Sequence, residues 1–193
     1  QGHAFPNLDT GEVDLSRILD RIIAANAYIG AEGIISGLEQ GAHVVVTGRA
    51  SDNALYVGPM MHEFGWTYEQ ADKVGAAVTI GHLLECAALA SGSLSNFWKE
   101  ARPLATIGFP FADVDASAEA VFGKLDGTGG LVTEMTLMEQ LVYEIADPSN
   151  YLMPDGIADF TAPTFAQVGP DRVSATGMTG KTRPEQLKVC VGF

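Results

Sequence analysis

Cysteine is scarce: two residues in 193, Cys86 and Cys190, far apart in the chain and in no CxxC pair. A disulfide framework and a thiolate metal knuckle are both excluded by that count, and a reducing, cytoplasmic setting is expected. Positive charge is scarce as well. Lys and Arg number 11 against 24 Asp and Glu, for a formal charge of -13 without any block of like charges. Such a field repels nucleic acid phosphates and anionic lipid surfaces, so neither is expected as a partner, and an anionic ligand needs a local cationic site. Long apolar runs are missing too. The most apolar stretch, Val74 to Leu84, already holds Thr79 and His82 and is closed by Glu85, too short for a membrane span. The opening "QGHAFPNLDTGE" has neither a basic region nor an apolar core, so no signal peptide is expected. At the other end "LKVCVGF" still reads as a strand, and both ends are expected to be cuts in a longer protein.

What is present is a chain 47% hydrophobic, enough to bury one core, so residues 1–193 read as a single α/β domain. In "DRIIAANAYIG" the apolar positions fit either a helix through Ile23 or a short helix followed by a strand over Ile22 to Ala25. The segment after it favours the strand. "AEGIISGLEQG" places Ile34, Ile35 and Leu38 on one helical face with Gly41 at the stop, and "AHVVVTG" reads as a β-branched buried strand. The expectation is a parallel strand-helix-strand core, whose loops leave the strand ends on one sheet edge. Asn26 and Tyr28 would leave one strand there, and Thr47, Arg49 and Asp52 the other, at the edge where open α/β sheets bind ligands. Asp52 is also placed to cap a helix starting near Asn53 and running toward His62.

A buried helical region follows from Thr67 to Gly92, with Gly75 and Gly81 allowing close packing or a kink. Residues 109–125 read as two strands with a turn at Ala116 and Ser117. After "DGTGG" comes a helix carrying Leu131, Met135, Met138, Val142 and Ile145, ended by Asp147-Pro148. The remainder reads as three strands of a mixed or antiparallel extension.

Each candidate site has two readings. Arg49 can grip a carboxylate or phosphate with two parallel hydrogen bonds, or it can form a surface pair with Asp52, the commoner fate of exposed loop charges. Gly127, Thr128, Gly129 and Gly130 can offer backbone N–H groups to an anion ahead of a helix, or serve as a hinge, since the lysine of a P-loop is missing. His82, Glu85 and Cys86 share a helix face by their spacing. That suits an acid–base pair or part of a metal site, but a buried helix more often keeps such groups to satisfy one another, and one helix supplies too few ligands. His62-Glu63 and Tyr143-Glu144 are similar pairs, and neither is taken as a site. No GxSxG elbow, HExxH or lysine suited to a Schiff base occurs, and no redox-cofactor fingerprint.

In order and spacing, "ANAYIGA", "AHVVVTGRASDNAL", "MHEFGW", "GHLLECAALASG", "GTGGLVT" and "QLVYEIADPSNYLMPD" resemble the acyclic terpene utilisation family of the AtuA type, over nearly all of the chain. "ASGSLSNFWKE" departs from the glycine pair expected near Gly92. The resemblance implies the later part of a larger N-terminal domain, completed by segments before and after it. It also implies breakdown of branched acyclic terpenoids through acyl-CoA intermediates, so a CoA thioester enters as a candidate substrate moiety. The motif positions are Asn26, Tyr28, Thr47, Arg49, Asp52, His82, Glu85, Thr128 and Gly129.

The preferred expectation is a homo-oligomeric enzyme or enzyme subunit acting on a small anionic substrate by a lyase or hydratase-like step. Asn26, Tyr28, Thr47, Arg49 and the 127–130 loop would hold the anion, and His82, Glu85 and Asp52 are the catalytic candidates. A non-catalytic assembly subunit and a metal-dependent hydrolase are the alternatives.

Overall fold

The computed structural model describes residues 4–193. Its centre is a helix with no polar face. Helix α3, Ala71–Glu85, which follows β1 (Ala24–Ala27), α1 (Glu32–Glu39) and α2 (Ala54–Phe64), is buried without a break from Val74 to Leu84. Each large aliphatic side chain so buried contributes about 1.5–3 kcal/mol relative to exposure, and Val74, Val78, Ile80 and Leu83 are all sealed from solvent. Close approach is what its small residues provide. A Cβ on Gly75 would lie 2.5 Å from the Gly180 Cα, so backbone meets backbone there.

The other elements wrap this helix. Helix α1 stops where expected, with Gly41 at a φ of 77°, a left-handed turn that glycine takes without strain. Strands β2 (Pro110–Val114) and β3 (Ala120–Lys124) form the anticipated hairpin. Helix α4, Glu134–Leu141, begins at a capping box in which Thr133 and Thr136 each accept from the other's backbone, and it ends before Val142 and Ile145. The C-terminal part carries more strands than the three expected: β4 (Tyr151–Leu152), β5 (Ile157–Asp159), β6 (Thr164–Gly169), β7 (Arg172–Thr176), β8 (Thr179–Lys181) and β9 (Val189–Gly192). All but β9 fall in two sheets, ordered β2-β3-β7-β6 and β4-β5-β8, with Phe122 opposite Val173 at the buried centre of the first, and β9 belongs to a third, two-stranded sheet.

The parallel core is overturned. Every strand pair among the described residues is antiparallel, and β1 pairs with β9 from the other end of the chain, Asn26 facing Cys190. Parallel pairing survives among the described residues only as two isolated bridges, Ile29 with Ala50 and Ile107 with Gly129. The valine run 44–46 forms no strand: Val45 turns in against Gly37 of α1, while Val44 and Val46 stand 80% and 90% exposed. β-Branched residues favour a strand only where a neighbour completes the ladder, and here none lies beside them. No helix among the described residues is long and apolar enough to cross a membrane.

Candidate functional site

The Ile29–Ala50 bridge sets the first group of side chains. The Ile29 N–H donates to the Arg49 carbonyl at 3.2 Å and the Ser51 N–H to the Ile29 carbonyl at 2.9 Å, which holds Arg49 beside Tyr28. The guanidinium lies over the Tyr28 ring, 4.4 Å from its centroid, and Nη2 donates to the phenol oxygen at 2.9 Å. Nη1 donates to Asp52 Oδ1 at 3.1 Å. Both members of this ion pair are about half exposed, and pairs of that kind contribute only about 0–1 kcal/mol, so a stronger anion can compete for the guanidinium. Asp52 does not cap α2. Asn53 holds the cap position without a side-chain cap bond, its amide donating instead to the Val78 carbonyl at 3.0 Å. Asn26 is exposed on β1 and Thr47 donates to the Gly48 carbonyl; no hydrogen bond joins either side chain to Arg49.

The second group closes the C-terminal end of α3. Burial raises the Glu85 pKa first, and the Asp52 and Glu144 charges add to it, against the Cys86 thiol, which donates to Oε1 at 3.0 Å. The thiol is itself pushed up to about 11, again chiefly by burial. His82 Nδ1 stands 3.9 Å from Glu85, within ion-pair range but beyond a hydrogen bond. Burial lowers the imidazole pKa, opposed by the nearby backbone of Gln140 and Leu141, but neither ring nitrogen meets a partner at hydrogen-bond geometry, so His82 is neutral rather than half of an ion pair. Its ring packs against both Tyr151 and Phe160, with centroids 5.0 and 4.9 Å away, and those two rings stack on each other at 4.6 Å. Gln140 of α4 donates to the His82 carbonyl at 2.8 Å.

Asp52 connects the two groups. Asn53, next to it in the chain, packs its backbone on Gly81 of α3, where a Cβ would fall 3.1 Å from the Asn53 oxygen, so the Arg49 pair lies near the α3 C-terminal turn, and the Asp52 charge adds to burial in raising the pKa of Glu85 and Tyr151. Tyr56 and Tyr151 complete the surroundings, and the Tyr56 phenol donates to the Leu84 carbonyl at 3.3 Å with its pKa raised by burial and by Glu85 and Cys86. Sequence spacing did not indicate these tyrosines or Gln140, because they arrive from α2, β4 and α4. Glu144, set aside as one of a commonplace pair, carries a φ of 55° and its charge acts on Glu85, His82 and Cys86.

The glycine-rich loop lies among different neighbours. The amides of Thr128, Gly129 and Gly130 donate to the carbonyls of Leu125, Thr106 and Ala101, and none of the loop's hydrogen bonds reaches Arg49 or Glu85. A Cβ on Gly129 would fall 1.9 Å from the Pro103 oxygen, so packing accounts for that glycine. Among the described residues no three His, Cys, Asp or Glu side chains converge to hold a metal ion.

The family model described as acyclic terpene utilisation family protein AtuA matches residues 1–193. No curated protein and no solved structure matches the chain. The chain belongs to this family, and membership points to a part in acyclic terpene utilisation.

Proposed function

We propose that this AtuA-family chain is an enzyme, or the subunit of one, that moves a proton to or from a branched acyl substrate in a lyase or hydratase-like step. The observation that carries the reading is the position of Asp52, paired with the Arg49 guanidinium at 3.1 Å and followed by Asn53, whose backbone packs on Gly81 of α3 one turn before Glu85. A cationic handle and a carboxyl inclined to keep its proton thus share one neighbourhood, as a proton-transfer site on an anion requires. Arg49 binds the carboxylate or the CoA phosphates of the substrate, releasing Asp52. Glu85 carries the proton, and its raised pKa brings its titration nearer to neutral pH. His82 supports the site through its ring stack and takes no proton.

Two measurements on the intact protein test this. Calorimetry with a branched acyl-CoA and the matching free acid is expected to give binding that Arg49→Ala weakens at least tenfold; no binding of either ligand ends the proposal. Incubation in deuterated water is expected to place deuterium on carbon in the substrate. Glu85→Gln should abolish that label while leaving the affinity within about threefold, and a variant that labels as fast as the parent removes Glu85 from the role. The assembly-subunit reading draws support from one observation, the exposure of Ile23, Val44 and Val46 at 86%, 80% and 90%. It would prevail if ligand binds without any label appearing.

A further inference from the structure

Beside the Glu85 cluster runs an open groove of about 200 Å³ between α2, α3 and β2. Leu55, Pro59 and Met60 line it from α2, Ile80 from α3 and Ala112 from β2, and no charged side chain faces it. Tyr56 and Leu84 line it as well, and they are the two residues that join it to the candidate site. The Tyr56 phenol donates to the Leu84 carbonyl and feels the charges of Glu85 and Cys86, while the same ring forms part of the apolar wall. One side chain therefore has its polar end at the chemistry and its apolar body in the groove, the usual arrangement of a buried tyrosine at a polar boundary.

Two further features separate this groove from ordinary surface relief. Leu55 is 61% exposed at its mouth, an aliphatic side chain left in water on a helix that otherwise buries its large aliphatics. Pro59 lies inside α2 and has no N–H, so the ring it presents to the groove adds apolar surface without a donor. Size then limits the occupant. Pockets that enclose a whole drug-sized ligand span about 300–1,000 Å³, so this one takes part of a ligand, with the remainder lying outside.

We propose that this groove is the tail subsite of the enzyme: it holds the branched hydrocarbon chain of an acyclic isoprenoid substrate whose charged head lies at Arg49 and whose reacting carbon lies at Glu85. The assignment rests on the functional reading above and on the family's place in acyclic terpene utilisation. Its chemistry is simple. A branched aliphatic chain matches walls of leucine, methionine, isoleucine, proline and alanine, and each methylene taken from water strengthens binding about fourfold. Leu55 at the mouth sets how much chain is covered.

The test is calorimetry of the intact protein with three probes: 3-methylbutanoate, 3,7-dimethyloctanoate and the uncharged 3,7-dimethyloctan-1-ol. The parent protein is expected to bind the longer acid at least tenfold more tightly than the shorter one. Leu55→Asp, at an exposed position where folding tolerates a polar residue, should erase that preference and leave 3-methylbutanoate unchanged. Arg49→Ala should weaken both acids equally and leave the alcohol unaffected. If Leu55→Asp keeps the chain-length preference, the tail lies elsewhere and the groove is overturned while the head site stands. If acid and alcohol bind alike and only Leu55→Asp matters, the groove stands and the head site falls. Binding of none of the probes overturns both, and a fall in oligomeric state on Leu55→Asp without any change in ligand binding shows the groove to be a contact between copies, which overturns the tail subsite.

Discussion

Lys124, 5% exposed at its side chain, meets Asp171 at 3.0 Å, and the same ammonium donates to the Thr128 carbonyl at 3.0 Å. Asp171 in turn accepts from the Val132 N–H at 2.9 Å. The pair thus ties the end of β3 to the glycine-rich loop and to the turn before β7. Removing one member of a buried pair leaves the other charge without compensation, at about 3–5 kcal/mol, and the partial exposure of Asp171 sets the expectation at the low end. Asp171→Asn, which keeps the turn geometry and the Val132 acceptor, is expected to cost about 3 kcal/mol in urea unfolding, and Lys124→Met distinctly less. Equal costs for the two would mean that the ammonium is solvated rather than held by Asp171.

Gly75 has no room for a methyl group, since its would-be Cβ meets the backbone of Gly180 rather than a movable side chain. Overpacking of this kind costs about 1–3 kcal/mol, and a domain of this size shifts its melting point by about 2–4 °C per kcal/mol. Gly75→Ala should therefore lower Tm by on the order of 5–10 °C. Thermal unfolding followed by circular dichroism reads it directly, and an unchanged Tm would show that α3 and β8 do not approach so closely.

His82 gives a prediction with a definite sign. Burial holds its pKa below the usual imidazole value, so the unfolded chain binds more protons than the folded one between the two pKa values. Stability contributed by neutral His82 is complete above about pH 6.5 and is lost as pH falls below it. His82→Phe keeps the stack with Tyr151 and Phe160 and removes two unpaired nitrogens, each of which costs about 1–3 kcal/mol when buried unsatisfied. At pH 8 the variant should be as stable as the parent or more so, and its advantage should grow from pH 7 to pH 5. A variant that loses 2 kcal/mol at pH 8 would mean that the nitrogens do have partners.

Cys86 and Cys190 differ in environment in a way alkylation can read. With its pKa pushed up to about 11, Cys86 is thiolate in only about one molecule in a thousand at pH 8, whereas Cys190 is exposed on β9. Iodoacetamide followed by peptide mass spectrometry should label Cys190 first and Cys86 at least tenfold more slowly. Glu85→Gln, which removes the neighbouring negative charge, should speed Cys86 severalfold. Fast labelling of Cys86 in the parent protein would mean that the α3 end is open and that Glu85 is ordinarily solvated.

The residues themselves determined the local elements. The periodicity of Ile34, Ile35 and Leu38 with Gly41 behind them gives α1, the unbroken apolar stretch from Val74 gives a helix buried on all sides, and alternation about Ala116 and Ser117 gives the β2–β3 hairpin. In each case the deciding interactions lie within a few residues: backbone hydrogen bonds, a terminal glycine, a tight turn. Of the candidate site, the Arg49–Asp52 contact and the shared face of His82, Glu85 and Cys86 were legible for the same reason, being three or four residues apart.

Tertiary structure alone decided the rest. Strand pairing depends on which distant segment completes the ladder, and β1 found β9 rather than the valine run 44–46, which no local pattern distinguishes from a strand that has a partner. Burial depends likewise on what arrives from elsewhere: Tyr151 and Phe160 over His82, Gln140 beneath it, and Asp52 acting on Glu85 across the α2–α3 junction. Protonation follows burial, because a charge loses water only when other segments exclude it, and so the upward shift of Glu85 was set by distant segments, with its neighbour Cys86 acting against it.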